Sequence, residues 1–199
     1  TKKPQRIHLY KKWIWLILLP SISFYPHIIY TYMSDLGQPI VIGQGSFGCV
    51  HKPQMKCKGK ERKDTSIVSK LMKRADANDE LKEFSLIEMA DNNQEYYLGL
   101  PNDCNIDNKY DMNVKAISNC SGFDPKQINT YKLLLMKYGG KDLQAFGEEV
   151  HKWKKTHANI NKIELFWLEV SRLFRGLHAF NTAGIVHHDL KHPNIVYEE

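Results

Sequence analysis

The sequence predicts an α+β fold in two parts, a strand-rich first portion followed by a helical one. Three observations carry that expectation. Short β-type runs flank a glycine-rich turn at residues 43–48. Further strand-like runs recur as far as residue 136, with one helical pattern among them. From residue 163 a long amphipathic period takes over. The chain has 199 residues, 42% hydrophobic and 25% charged, the balance of a folded domain. A disordered tail, a collagen-like fibre and a polytopic membrane protein are excluded on that ground.

Residues 1–34 form a basic and apolar extension. Its charges are Lys2, Lys3, Arg6, Lys11 and Lys12, which account for most of the net +6. Taking these five from 28 basic residues leaves 23 against 22 acidic ones. The body of the chain is therefore nearly neutral, and no nucleic-acid partner is expected. Trp13 to Ser34 lacks Asp, Glu, Lys and Arg and has nearly the ~20 residues that span a bilayer. Pro20 and Pro26 interrupt it. Three readings stay open for residues 1–32: upstream sequence read through in frame before Met33, a membrane anchor, or an ordered addition to the domain. A membrane contact is expected only through residues 13–34. A signal peptide fits poorly, because no small-residue cleavage site follows the apolar run.

The domain begins near residue 35. Pro39–Gly43 and Cys49–Lys52 read as strands around the glycine turn, and Thr65–Leu71, β-branched at its start, reads as a third. Asp79–Ala90 has helical periodicity, with Asp76, Asn78 or Asp79 as cap. Glu95–Leu98 and Tyr131–Met136 read as two more strands. Pro101–Asn129 is polar and rich in Asn and Asp, so it reads as a loop insertion. Ile163–Asn181 reads as a helix with Leu165, Leu168, Leu173, Leu177 and Phe180 among its apolar positions, ending near Gly184. The expected division is 1–34, 35–138 with an insertion at about 101–129, and 139–199. Cys49, Cys57, Cys104 and Cys120 are too few for a disulfide scaffold and lack a C-x-x-C pair, so they read as reduced thiols of a cytoplasmic protein.

The chemistry-bearing motifs come in a fixed order. Gly43-Gln44-Gly45-Ser46-Phe47-Gly48-Cys49-Val50 is G-x-G-x-x-G-x-V. The same glycine spacing opens a helix in dinucleotide-binding folds, but here β-type residues follow, which favours a hairpin lying over phosphates. Glycines let the backbone approach phosphate oxygens, and Val50 would pack on adenine. Lys70 closes the run Ile67-Val68-Ser69-Lys70, which resembles the kinase V-A-I-K strand; that resemblance implies that Lys70 binds phosphates and that Val68, where Ala is usual, lines the adenine pocket. That lysine needs a carboxylate from the next helix, and Glu80, Glu83 and Glu88 are the candidates. Glu83 is selected, because Leu86, Ile87 and Ala90 share its helical face. Met136, Lys137 and Tyr138 end a strand before Gly139-Gly140, a segment that resembles the strand and hinge between kinase lobes; that resemblance implies that Lys137 and Tyr138 offer backbone groups to adenine. Asp142 is a candidate for the ribose hydroxyls.

The most specific segment is Gly184-Ile185-Val186-His187-His188-Asp189-Leu190-Lys191-His192-Pro193-Asn194. The segment resembles the protein-kinase catalytic loop H-R-D-L-K-x-x-N, and that resemblance implies that Asp189 accepts a hydroxyl proton, Lys191 steadies a transferring phosphoryl group and Asn194 ligates Mg²⁺. A zinc site at His187, His188 and His192 leaves the Asp, Lys and Asn unexplained.

Over roughly Gln38–Glu199 the chain resembles a eukaryotic-type protein kinase of the Ser/Thr class, carried by four motifs in family order. The string G-Q-G-S-F-G-C-V with a following Pro and Cys57 is similar to kinases of large DNA viruses. The resemblance implies a two-lobed fold: a five-stranded antiparallel sheet with one helix, then the start of a helical lobe. It implies ATP and Mg²⁺ in the cleft between the lobes, Met136 as gatekeeper, and a protein Ser or Thr hydroxyl as acceptor. Two departures stand out. His188 replaces the arginine that usually grips a phosphorylated activation loop. The D-F-G segment that would follow is not among the residues after Asn194. The alternatives are a nucleotide-binding pseudokinase or scaffold without turnover, and a kinase-like phosphotransferase acting on a small molecule.

Overall fold

A computed structural model describes residues 7–9, 16–18, 37–62 and 64–197. The elements are β1 (Ile7–Leu9), β2 (Leu16–Leu18), β3 (Ile40–Gly45), β4 (Gly48–Lys52), β5 (Ile67–Lys73), α1 (Arg74–Ala90), β6 (Asn102–Cys104), α2 (Asp111–Ser118), β7 (Tyr131–Lys137), β8 (Lys141–Asp142), α3 (Leu143–Val150), α4 (His157–Thr182), β9 (Ile185–His187) and β10 (Ile195–Tyr197). The architecture is α+β. Contacts divide it into two compact units, and the division falls inside α1. One unit holds the described residues up to Lys82, other than β1 and β2, together with Leu100–Tyr138. The other holds Glu83–Gly99, the described residues from Gly139 onward, and β1 and β2.

The first unit is built on an antiparallel five-stranded sheet of order β3-β4-β5-β7-β6. β3 and β4 form a hairpin that turns at Ser46-Phe47 and pairs Gly45 with Gly48. Apolar residues on one face of the sheet, among them Leu71, Leu133 and Tyr131, meet Ile117, Ala116 and Ile128 from the segment between β6 and β7. That segment, expected as a loop, is ordered. It contributes the edge strand β6, helix α2 and a 3-10 turn over Pro125–Thr130. Asn113 pins it: fully buried, its side chain accepts from Lys56 N at 2.9 Å and donates to the carbonyls of Lys56 and Asp107 at 2.8 and 2.9 Å. Buried polar groups need such partners.

The structure also corrects the reading of the cysteines as reduced thiols. All four are paired, Cys49 with Cys120 and Cys57 with Cys104, across 71 and 47 residues of sequence. Loops of that length leave no local trace in the sequence, whereas the Cα separations of 6.0 and 5.8 Å suit a disulfide. The cytoplasmic expectation loses the argument on which it rested.

Two further expectations shift. Helix α1 starts at Arg74, not Asp79, because β5 runs straight into it and Asp76 sits in its first turn, where the helix dipole favours an acid. No ladder strand forms at Glu95–Leu98. Asp91 takes the backbone N–H groups of Glu95 and Tyr96 at 3.0 and 2.8 Å, closing a turn there. The fifth strand is β6 instead.

In the second unit, Phe84 and Ile87 of α1 pack with Tyr97, Phe180 of α4 and Ile185 of β9. A second cluster joins α3, α4 and β10 through the rings of Phe146, Phe166 and Tyr197, 4.7–5.3 Å apart. Helix α4 follows the expected Ile163–Asn181 periodicity but is longer, and Leu168 and Trp167 remain two-thirds exposed on it. β1 pairs in parallel with β9, and β2 with β10. Most of residues 1–36, including nearly all of the 13–34 anchor candidate, lies outside the described residues. Among the described residues no helix is long and apolar enough to cross a membrane.

Candidate active site

Strand alternation sorts the first group of candidates. Residues directly opposed in a ladder share a face. The register opposes Gly43 to Val50, Val50 to Lys70, Lys70 to Leu134, and Val68 to Met136. Gly43, Gly45, Gly48, Val50, Val68, Lys70 and Met136 therefore line one face of the sheet. Gln44, Cys49, His51, Ser69 and Leu71 line the other. Ser46 and Phe47 form the hairpin turn between Gly45 and Gly48. The sequence motifs thus come together as one surface, backed by the disulfide-bonded core.

Lys70 is 1% exposed, and its ammonium donates to both carboxylate oxygens of Glu80 at 2.6 Å. This corrects the selection of Glu83. With the helix starting at Arg74, Glu80 falls in phase with Ala77, Phe84 and Ile87, all buried. The heptad-like spacing Ala77, Glu80, Phe84, Ile87 was the available signal. Glu83 lies three residues on, in the other compact unit.

Steric fit, as well as phosphate chemistry, fixes one glycine. A Cβ on Gly48 would stand 2.0 Å from the Leu71 carbonyl oxygen of the neighbouring strand, whereas one on Gly43 would make only ordinary contact with Val50. At the far end of β7, the backbone N–H of Tyr138 donates to the Ser66 carbonyl at 2.7 Å. That engages one of the two Tyr138 backbone groups expected to face adenine. Antiparallel alternation turns the N–H and C=O of Lys137 away from β5. Lys52 stacks its ammonium 3.2 Å above the Tyr138 ring.

No protein-family model matches the chain, and no curated protein does.

The second group sits in the other unit, on the connection from β9 to β10. Asn194 is fully buried and closes a 3-10 turn. Its Nδ2 donates to the Asp189 carbonyl at 2.7 Å and to Asp189 Oδ2 at 3.2 Å. Lys191 Nζ lies 3.1 Å from the same Oδ2. His187 Nδ1 accepts the Asp189 N–H at 3.2 Å. Asn194 and Lys191 thus converge on the Asp189 carboxylate, and His187 holds its backbone N–H. Asn194 Oδ1 is buried without a hydrogen-bond partner among the described residues. An orphaned amide oxygen beside a carboxylate suits a hard divalent cation, so the donor set fits Mg²⁺. The three-histidine zinc reading fails: no group of three His, Cys, Asp or Glu among the described residues could hold a metal.

Asp142 has a structural duty. It is the N-cap of α3, its side chain accepting the Ala145 N–H at 2.8 Å. Before it, a Cβ on Gly139 would stand 2.6 Å from Val196 Cγ2 and 2.8 Å from Leu98 Cδ2, so those side-chain ends would have to shift. Beside His187 lies an apolar cavity of about 260 Å³, lined also by Ile87, Leu177 and Phe180. With one titratable group in its wall, it offers shape more than chemistry.

Proposed function

We propose that the chain is the nucleotide-binding and catalytic-loop portion of an ATP-dependent protein serine/threonine kinase, with a protein-kinase-like two-lobed fold. The observation that carries the reading is the buried Lys70–Glu80 pair set among Gly43, Gly45, Gly48, Val50, Val68 and Met136 on one sheet face. Burying an ion pair costs desolvation that packing alone would not demand. A lysine held this rigidly has an evident use as a fixed cation for phosphate oxygens, and the glycines beside it allow backbone approach. Lys137 would then meet the adenine edge with its backbone.

The loop supplies the second half of the chemistry. Asp189 would accept the proton of a Ser or Thr hydroxyl and orient that oxygen toward the γ-phosphoryl group. Lys191, already paired with Asp189, would steady the charge on the group in transfer. Asn194 would hold Mg²⁺ through Oδ1; the ion, when bound, offsets phosphate charge. The fixed bonds from Asn194 and His187 keep the Asp189 segment in place without substrate, so little reorganisation is left for the reaction. The paired cysteines support a working environment that is oxidising.

The test is a radiolabelled-ATP transfer assay on the protein in its full reading frame, beside Asp189→Asn and Lys70→Met. The expected result is Mg²⁺-dependent label on protein Ser or Thr, lost in both variants. ATP binding without transfer would instead favour a pseudokinase. Label appearing on a small-molecule hydroxyl would move the assignment to that class.

A further inference from the structure

We propose that the two disulfides make the nucleotide-facing sheet respond to a dithiol reductant in two steps: Cys57–Cys104 opens first, and its opening gives access to Cys49–Cys120. The order follows from placement. Cys104 sits part-exposed on the edge strand β6, whereas Cys49 is 0% and Cys120 2% exposed. Thiol–disulfide exchange requires a thiolate to reach a sulfur, so the outer bond reacts first.

The outer bond also closes a strap. Cys57 bridges to Ile106 in an antiparallel contact, Lys58 N–H donates to the Asn105 carbonyl at 2.9 Å, and Asp107 N–H donates to the Lys56 carbonyl at 3.0 Å. Cys57 and Ile106 belong to the same apolar cluster as Cys49 and Cys120. The strap thus belongs to the same buried cluster as the inner bond, and cutting its covalent tie lowers the cost of a local opening there that admits a reductant.

The inner bond bears on nucleotide binding. Cys49 stands between Gly48 and Val50 on β4, and its side chain leaves the opposite face of the sheet to join Cys120, beyond the end of α2. It therefore ties the back of the glycine hairpin to the insertion. That functional consequence rests on the ATP reading given above; the order of reduction does not.

The chemistry balances without help from the protein. One thiolate of the dithiol attacks the Cys104 sulfur, forming a mixed disulfide, and Cys57 leaves as a thiolate that takes a proton. The second thiol of the reductant displaces Cys104. Two electrons pass to the protein, two cysteine thiols form, and the dithiol becomes a disulfide. The same exchange then repeats at Cys49–Cys120.

The experiment titrates the oxidised chain with dithiothreitol, blocks the thiols with iodoacetamide and maps them by mass spectrometry. Binding of ATP-Mg²⁺ and far-UV circular dichroism are measured at each step. Cys57 and Cys104 are expected to be alkylated first, with ATP affinity within about twofold of the start. Release of Cys49 and Cys120 is expected to weaken ATP binding at least fivefold with the helical signal kept, and reoxidation to restore it. In Cys57→Ser/Cys104→Ser the inner bond should open at the low dithiothreitol concentration that opens the outer one in the parent. Simultaneous release of all four thiols, earlier release of the inner pair, or an inner bond as resistant in the double variant as in the parent overturns the order. Unchanged ATP affinity with four free thiols overturns the link to the hairpin. If the oxidised chain binds no ATP, the nucleotide reading fails, and the order of reduction still decides the switch.

Discussion

Lys70 and Glu80 form a two-pronged buried ion pair, 2.6 Å from the ammonium to each carboxylate oxygen. Removing one member of a buried pair takes a charge partner from the other, at a cost of roughly 3–5 kcal/mol. Lys70→Met should therefore lower stability by about that amount in urea unfolding, as well as abolishing ATP binding. Lys70→Met/Glu80→Leu should recover most of the stability and none of the binding. Glu80→Gln should cost more ATP affinity than Glu83→Gln. A larger loss at Glu83 would return the assignment to that residue.

Gly48 and Gly43 separate two reasons for a glycine. Gly48→Ala forces a Cβ against the Leu71 carbonyl and should destabilise the sheet by about 1–3 kcal/mol, the usual cost of overpacking. Gly43→Ala meets nothing tighter than an ordinary contact, so its unfolding midpoint should stay close to the parent's. If ATP nevertheless binds several-fold more weakly to Gly43→Ala, close backbone approach by the nucleotide is the remaining reason for that glycine.

His51 makes stability depend on pH. It is fully buried, its Nε2 lies 3.3 Å from the Ala116 carbonyl, and Nδ1 has no partner among the described residues. Burial, opposed by those backbone hydrogen bonds, holds its pKa below the ordinary 6.5. The unfolded chain thus binds this proton more readily than the folded one. The stabilisation is complete above pH 6.5 and is lost as the pH falls from there toward the folded-state value, about 1.4 kcal/mol per pKa unit of depression. His51→Gln keeps a donor for Ala116 and should flatten that acid limb in thermal unfolding between pH 7 and 5.

Asn113 holds the insertion by three side-chain hydrogen bonds from a fully buried position. Asn113→Ala leaves the Lys56 N–H without its acceptor and takes one of two donors from each of the Lys56 and Asp107 carbonyls, which keep the N–H groups of Asp107 and Tyr110, and should cost about 1–3 kcal/mol. Hydrogen exchange should rise first at Lys56, Lys58 and Asp107, the backbone that Asn113 organises. Uniform loosening of the whole sheet would argue against a local pin.

The parts of the fold visible from sequence are those with local causes. The β3–β4 hairpin announces itself through closely spaced glycines between β-formers, and the Asp189–Asn194 loop through side chains whose chemistry demands that spacing. Helix α4 is visible because its apolar period runs for many turns. The residues that escape are ordered from a distance. Glu80 has a local signal in its spacing with Ala77, Phe84 and Ile87, but that signal counts only when the helix is extended back to Arg74, which the passage of β5 straight into α1 brings about. The insertion looks like a polar loop because what folds it is a pair of disulfides and an asparagine reaching 57 residues back to Lys56.

The alternation along β4 has a consequence for how the chain finds its fold. Successive residues there serve opposite faces, Gly48 and Val50 one side, Cys49 and His51 the other. A slip of one position in the pairing would trade the two sets. Cys49 would then point away from Cys120, and the bridge could not close. Formation of this disulfide therefore acts as a parity check. Chains that oxidise correctly have already placed β4 in register, and misaligned ones are left with a thiol that marks the error.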